Sequence, residues 1–216
     1  MKNLVKFSAV FILVLGFNFK SQAQVSDDST PEFGIKGGVN FSNMYTDDVD
    51  DENVLTSFNA GFYSVFPIND FIAIQPELLY SRKGAELVYD NAFADGTAKF
   101  KLDYIELPVL LKLNLTENFN VHVGPYAAYL VNAKVTNETE NGTFDFEDNY
   151  DTNDFQKFDA GISAGIGFNF NPINVGVRYN YGLVPVGKER TFAGQTYTVP
   201  DGKNSNLSVY VGFRLN

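Results

Sequence analysis

The chain has 216 residues, with 26 Asp and Glu against 16 Lys and Arg, a single His and no Cys. A formal charge of −10 without any cluster of Lys and Arg excludes nucleic acid as a partner, because counterion release from a polyanion needs such a cluster. The lack of cysteine excludes both a disulfide-stapled domain and a lipid anchored at a cysteine.

From the N-terminus, Lys2 and Lys6 precede the apolar run FSAVFILVLGF, and Ser21, Gln22 and Ala23 form a small-x-small cleavage site. Residues 1–23 are expected to be a signal peptide, 24–32 a short periplasmic N-terminal segment, and 33–216 a single barrel domain. Removing Lys2, Lys6 and Lys20 takes the charge from −10 to −13. The apolar run is too short to span a bilayer as a helix, and no other stretch reaches the roughly 18 apolar residues required.

At 33–45 the residues split by parity, with Phe33, Ile35, Val39, Phe41 and Tyr45 on one face and Lys36, Asn40 and Ser42 on the other. The same alternation predicts strands at 33–45, 56–66, 71–83, 100–113, 119–132, 156–170, 173–184 and 205–215. The connections alternate in length: long at 46–55, 84–99, 133–155 and 185–204, short at 67–70, 114–118 and 171–172. That rhythm belongs to outer-membrane barrels, whose short turns are periplasmic and whose long loops are extracellular. The expected fold is all-β, an eight-stranded antiparallel up-and-down transmembrane β-barrel with both termini in the periplasm.

Which face looks inward follows from glycine and charge. The polar parity carries Gly34, Gly61, Gly124, Gly161, Gly176 and Gly212 along with Lys, Glu and Arg, a set that suits a crowded lumen and not a soluble core. The apolar parity, free of charge over its central stretches, then faces lipid. Aromatic residues on that parity fall into two bands, as expected where headgroups meet water. Tyr45, Tyr80, Tyr129 and Tyr181 lie toward the outer ends; Phe66, Phe71, Phe119 and Phe213 lie toward the periplasmic ends.

The segments IKGGVNFSN at 35–43, IQPELLYSRKGAEL at 74–87 and YIELPVLLKLNL at 104–115, together with the terminal LSVYVGFRLN, resemble the PorT-like outer-membrane β-barrel proteins. The resemblance covers nearly all of 24–216 and implies an eight-stranded barrel of the OmpA or OmpX type. It also implies a link to protein secretion across the outer membrane.

Lumenal parity places Lys36, Lys112, Arg178 and Arg214 against Glu77, Glu106 and Asp159, with Lys83 and several tyrosines among them. Charges confined in so narrow a barrel must pair, because an unpartnered buried ion costs several kcal/mol. Glu77 and Glu106 are expected at the centre of this ion-pair network. His122, the single histidine, shares the lumenal parity and has no serine beside it on that face, which disfavours a lipid hydrolase facing the bilayer. Arg82 and Lys101 sit on adjacent strands at the outer rim, where lipid phosphates or simple snorkelling would occupy them. Pro76, Pro108 and Pro125 fall inside strands at one height, which predicts bulges or a weakened ladder.

No phosphate loop, zinc spacing or catalytic carboxylate pair occurs, and no cofactor is expected. The acidic loops at 46–55 and 133–155 offer oxygen ligands such as Asp47, Asp48, Asp50 and Asp148, but their spacing matches no EF-hand. Solvation or partner contact is preferred there over calcium. The reading is a non-catalytic barrel that meets outer-membrane lipids, anchors acidic extracellular loops and contacts envelope or secretion-system proteins. A narrow conduit through the lumen is the first alternative, and a lipid-modifying enzyme the second.

Overall fold

The computed structural model describes residues 30–45, 54–91, 94–139, 146–150, 155–192, 195–199 and 202–216. The expected signal peptide, Tyr45's side chain and the acidic run at 47–52 lie outside the described residues. The strands are β1 (Glu32–Tyr45), β2 (Leu55–Pro67), β3 (Ile72–Asn91), β4 (Ala94–Asn114), β5 (Phe119–Thr139), β6 (Phe146–Tyr150), β7 (Phe158–Phe170), β8 (Ile173–Pro185), β9 (Lys188–Phe192), β10 (Gln195–Val199) and β11 (Lys203–Arg214).

Eight of these close an antiparallel barrel in which each strand pairs with its neighbour in sequence, in the order β4-β3-β2-β1-β11-β8-β7-β5, with β5 returning to β4. β1 meets β11 along Gly34↔Arg214 to Tyr45↔Lys203, which removes the last free edge. No described helix is long and apolar enough to cross a membrane.

Residue type is distributed inside out relative to a soluble protein. Phe62 is 62% exposed and Phe71 69% on the outer face, while Glu77 is 3% and Lys83 0% exposed in the lumen. Tyrosines fill the interior over glycines. Gly34, Gly161 and Gly176 are the cross-strand partners of Tyr63, Tyr126 and Tyr210. A Cβ on Gly176 would stand 2.5 Å from the Tyr210 hydroxyl, so the ring can lie there only because its partner has no side chain.

The two ends of the barrel differ. At the end holding both described chain ends, the strands join through brief turns at 68–71, 115–118 and 171–172. At the other end β3, β4 and β5 run for 20, 21 and 21 residues, against 13 for β2, β7 and β8. Of residues 84–99, expected as a loop, 84–91 and 94–99 are instead paired strand whose register holds from Gly84↔Lys101 to Asn91↔Ala94. Likewise β5 continues past 132 and carries β6 alongside it at Ala133↔Tyr150 to Asn137↔Phe146, and 185–204 contains the β9–β10 ribbon. Stretches such as KGAELVYDN have mixed polarity on both faces, so the period-2 signal fades although pairing continues.

The prolines interrupt the ladder without shifting it. Pairing of β2 with β3 lapses between Tyr63↔Glu77 and Phe66↔Ile74, beside Pro76. β3 with β4 lapses between Pro76↔Val109 and Leu79↔Glu106, beside Pro108, and β4 with β5 between Pro108↔Tyr126 and Leu111↔Val123, beside Pro125. Register resumes unchanged after each lapse. The irregularities that do shift register lie elsewhere, at Asp103/Tyr104 and at Lys203/Ser205.

Candidate functional site

The lumen holds two ionic clusters, built by alternate residues of neighbouring strands. In the first, nearer the short turns, Glu77 of β3 is shared. Arg178 of β8 donates to it through both terminal nitrogens, at 2.7 and 2.8 Å, and Lys36 of β1 donates at 3.1 and 3.3 Å. Gln75 adds a further bond at 2.7 Å. Lys36 Nζ lies 3.5 Å from the centre of the Tyr210 ring, so its remaining face meets a π cloud rather than solvent. The Arg178 Nε donates to His122 Nε2 at 3.3 Å, which leaves the proton on Nδ1, facing Asn120 Oδ1 at 3.3 Å. His122 is thus a lumenal acceptor clasped by a guanidinium, not a base directed at the bilayer.

In the second cluster, nearer the long strands, the shared group is a cation. Lys83 of β3 pairs with Glu106 of β4 and lies 3.9 Å from Asp159 of β7. Asn180 donates to Glu106 at 3.0 Å; Asn204 and the Tyr126 hydroxyl donate to Asp159 at 3.0 and 3.3 Å. Asp159 Oδ1, Asn180 Oδ1 and Asn204 Oδ1 have no hydrogen-bond partner among the described residues. Between the clusters Asn59 donates to Asn40 at 2.6 Å and to Ser208 at 2.8 Å, and Asn40 donates to Ser81 at 3.1 Å.

Two residues placed in the network by parity stand apart from it. Arg214 pairs at 2.8 Å with Glu32, at the rim by the short turns. Lys112 is 8% exposed and makes no ion pair or hydrogen bond with a described residue. At the opposite rim, Arg82 grips Asp103 through Nε at 2.6 Å and Nη2 at 3.1 Å, and Asn132 donates to the same carboxylate at 3.0 Å. Lys101 reaches Thr136 at 3.4 Å. Parity alone could have named the lumenal amides Asn59, Asn180, Asn204 and Asn206, which continue the alternation set by Tyr63, Arg178 and Tyr210. Glu32 shares the parity of Lys36 but precedes the expected start of its strand, and Asp103 stands off the parity of Tyr104 and Glu106, beside the register shift.

The aromatic bands are on the outer face. Phe66, Phe71 and Phe213 are exposed near the short turns, with Phe33 edge-on to Phe66 at 6.3 Å and Phe119 against Phe168 at 5.1 Å. Tyr129 and Tyr181 are exposed toward the long strands, and Tyr80 stacks on Phe58 at 6.0 Å. An apolar belt between two aromatic rings around a charged, closed lumen is the arrangement of a bacterial outer-membrane barrel.

Comparison with known proteins agrees. Residues 22–187 match the outer membrane protein beta-barrel domain, and the chain belongs to that family. Among solved structures it is similar to Ail, the attachment invasion locus protein of Yersinia pestis, in complex with the heparin analogue sucrose octasulfate. The identity is 13%, over 86% of this chain and 99% of that one, with a TM-score of 0.50. Neisserial surface protein A is 16% identical over 85% and 97% of the two chains, with a TM-score of 0.47. OprG from Pseudomonas aeruginosa is 10% identical over 87% and 97%, with a TM-score of 0.42. No curated protein matches the chain in sequence.

Proposed function

We propose that this outer-membrane barrel is a non-catalytic anchor that holds a sheet of extended strands outside the cell and contacts envelope or surface partners through it. The observation that carries the reading is strand length. A tilted bilayer is crossed in about 9 to 11 residues, whereas β3, β4 and β5 continue paired to Asn91, Ala94 and Thr139 and gain β6 as a fourth strand. Such an extension spends backbone order on surface that no lipid covers, and that surface is available to a partner.

In this reading the short turns and both termini are periplasmic, residues 1–23 are a signal peptide, and the acidic segments lie outside. The acidic chain is a poor match for a sulfated polyanion, so the ligand of the Yersinia protein is no guide here. Support for an anchor over a conduit comes from the lumen, where cavities of about 10 and about 20 Å³ leave room for little more than single waters. The PorT-like resemblance favours secretion-system proteins as the partners. Photocrosslinkers at Asp148 of β6 and at Asn118 of a short turn, in living cells, test this reading. A discrete adduct at Asp148 is expected for a surface partner, and one at Asn118 for a secretion partner. Adducts at neither, together with ion conductance in planar bilayers, would overturn the anchor in favour of a conduit.

A further inference from the structure

The lumen wall changes character along the barrel. Toward the short turns it mixes Val65 and Ala73 with Gln75, Lys112, Asn120 and Asn174. Beyond Lys83 it turns apolar on four successive strands, at Leu55 of β2, Ala85 of β3, Leu102 of β4 and Leu130 of β5, all of them buried. Lipid touches the other face of these strands and cannot be what buries them. Their cover has to come from within the chain.

It comes from residues between the barrel strands. Phe155, which precedes β7, and Val186, which follows β8, are buried in one apolar group with Leu102, Leu130 and Ala133, and Met44 packs against that group. Met44 belongs to β1, which is four strands away from β5 in either direction around the closed barrel. The group therefore reaches from one wall to the opposite wall, across the mouth of the lumen. Backbone bonds tie its two covering residues to each other and to the barrel. Phe155 pairs with Gly187. Gln156 N–H donates to the Val186 carbonyl at 2.9 Å, Val186 N–H to the Gly202 carbonyl at 2.7 Å, and Leu130 N–H to the Lys157 carbonyl at 2.8 Å. Tyr104 and Tyr126 belong to the same apolar group, and their rings lie 5.7 and 4.4 Å from Lys83 Nζ, so the second ionic cluster stands directly beneath this cover.

We propose that the strap made of 155–157 and 186–187, seated on Met44, Leu102, Leu130 and Ala133, is a lid that closes the lumen at the long-strand end and cuts the Lys83 cluster off from bulk water and ions. An apolar constriction stops ions by resisting wetting and needs no charge to do so. Ion pairs beneath it keep the strength that solvent would screen away. The lid is independent of the anchor reading, because it concerns the lumen and not the outer sheet.

The chain has no cysteine, so a cysteine placed below the lid reports on access. Ser163 is fully buried on β7, across from Asn180, which donates to Glu106. The folded Ser163→Cys barrel, in neutral micelles and chloride-free buffer, is exposed to silver ion, and the thiol left is counted with a maleimide after unfolding. Asn118→Cys, in an exposed turn, gives the unhindered rate. Ser163→Cys should react slowly, and adding Phe155→Ala with Val186→Ala should speed it by at least about tenfold, whereas Phe155→Leu, which keeps the lid apolar, should leave it slow. At Asn120→Cys, near the short turns, the lid variants should change nothing. Each variant is first shown to keep the heat-modifiable gel mobility of a folded barrel; should the double variant fail to fold, Val186→Ala alone takes its place with the same two outcomes. Fast reaction of Ser163→Cys with the lid intact, equal rates with and without the lid, or an equal rise at Asn120→Cys would overturn the proposal.

Discussion

The two lumenal clusters solve the same problem with opposite shared groups. Around Glu77, one carboxylate is divided between two cations and a carboxamide, so that Oε1 receives three bonds and Oε2 two. Around Lys83, one cation is divided between two carboxylates, and amide and carboxylate oxygens remain without donors. A carboxylate can accept from several directions at once, whereas an ammonium has only three protons to distribute. The anion-centred cluster is therefore the better satisfied, and Glu77 the residue whose loss strands the most charge.

The sharpest way to break the comparison is Glu77→Ala, which leaves Lys36 and Arg178 buried together; a loss of about 4 kcal/mol is expected. The chain has no tryptophan, so urea unfolding from lipid vesicles would be followed by circular dichroism and gel mobility. A loss below about 1 kcal/mol would mean that water reaches the cluster freely. Lys83→Met should cost somewhat less, about 3 kcal/mol, because Asn180, Asn204 and Tyr126 still donate to the two carboxylates it abandons. Equal or greater loss than at Glu77 would reverse the ranking of the clusters.

Lys36→Met sharpens the same point from within the first cluster. Arg178 keeps its paired bonds to Glu77, so only about 1 to 2 kcal/mol should be lost, and combining it with Glu77→Ala should cost less than the sum of the two. An additive double variant would show that the pair is not coupled. The smallest effect belongs to the rim, where Arg82→Ala breaks a pair that is 30% exposed on the arginine side. About 0.5 to 1 kcal/mol is expected there, shrinking with added salt.

How far the sequence revealed this arrangement depended on whether lipid imposed a pattern. Within the bilayer, the alternation of Ile74 and Leu78 with Gln75, Glu77 and Leu79 locates strand and face together, since a shift of one residue would put Glu77 in hydrocarbon. Above the bilayer no such penalty applies. Accordingly β3 and β4 were placed correctly at Glu77 and Glu106 but stopped short at 83 and 100, where backbone pairing continues without an apolar face to mark it. Parity also assigns residues to the lumen without saying who meets whom. It set Lys112 and Arg214 beside the carboxylates, whereas chain height separates them, leaving Arg214 with Glu32 and Lys112 alone. The prolines were legible as ladder defects because a missing N–H is a property of the residue and needs no tertiary knowledge.

Those proline defects abut one another: the lapse between β2 and β3 is followed one strand on by the lapse between β3 and β4, and then by that between β4 and β5. Across the opposite wall, β7–β8 from Gly161↔Gly182 and β8–β11 from Ser205↔Tyr181 pair without a break. The cylinder is consequently anisotropic in its elasticity, with one stiff wall and one crease along which it can flatten. Because register is conserved on both sides of the crease, flattening needs no strand to slide, and lateral pressure from the membrane is absorbed as a change of cross-section on that side alone.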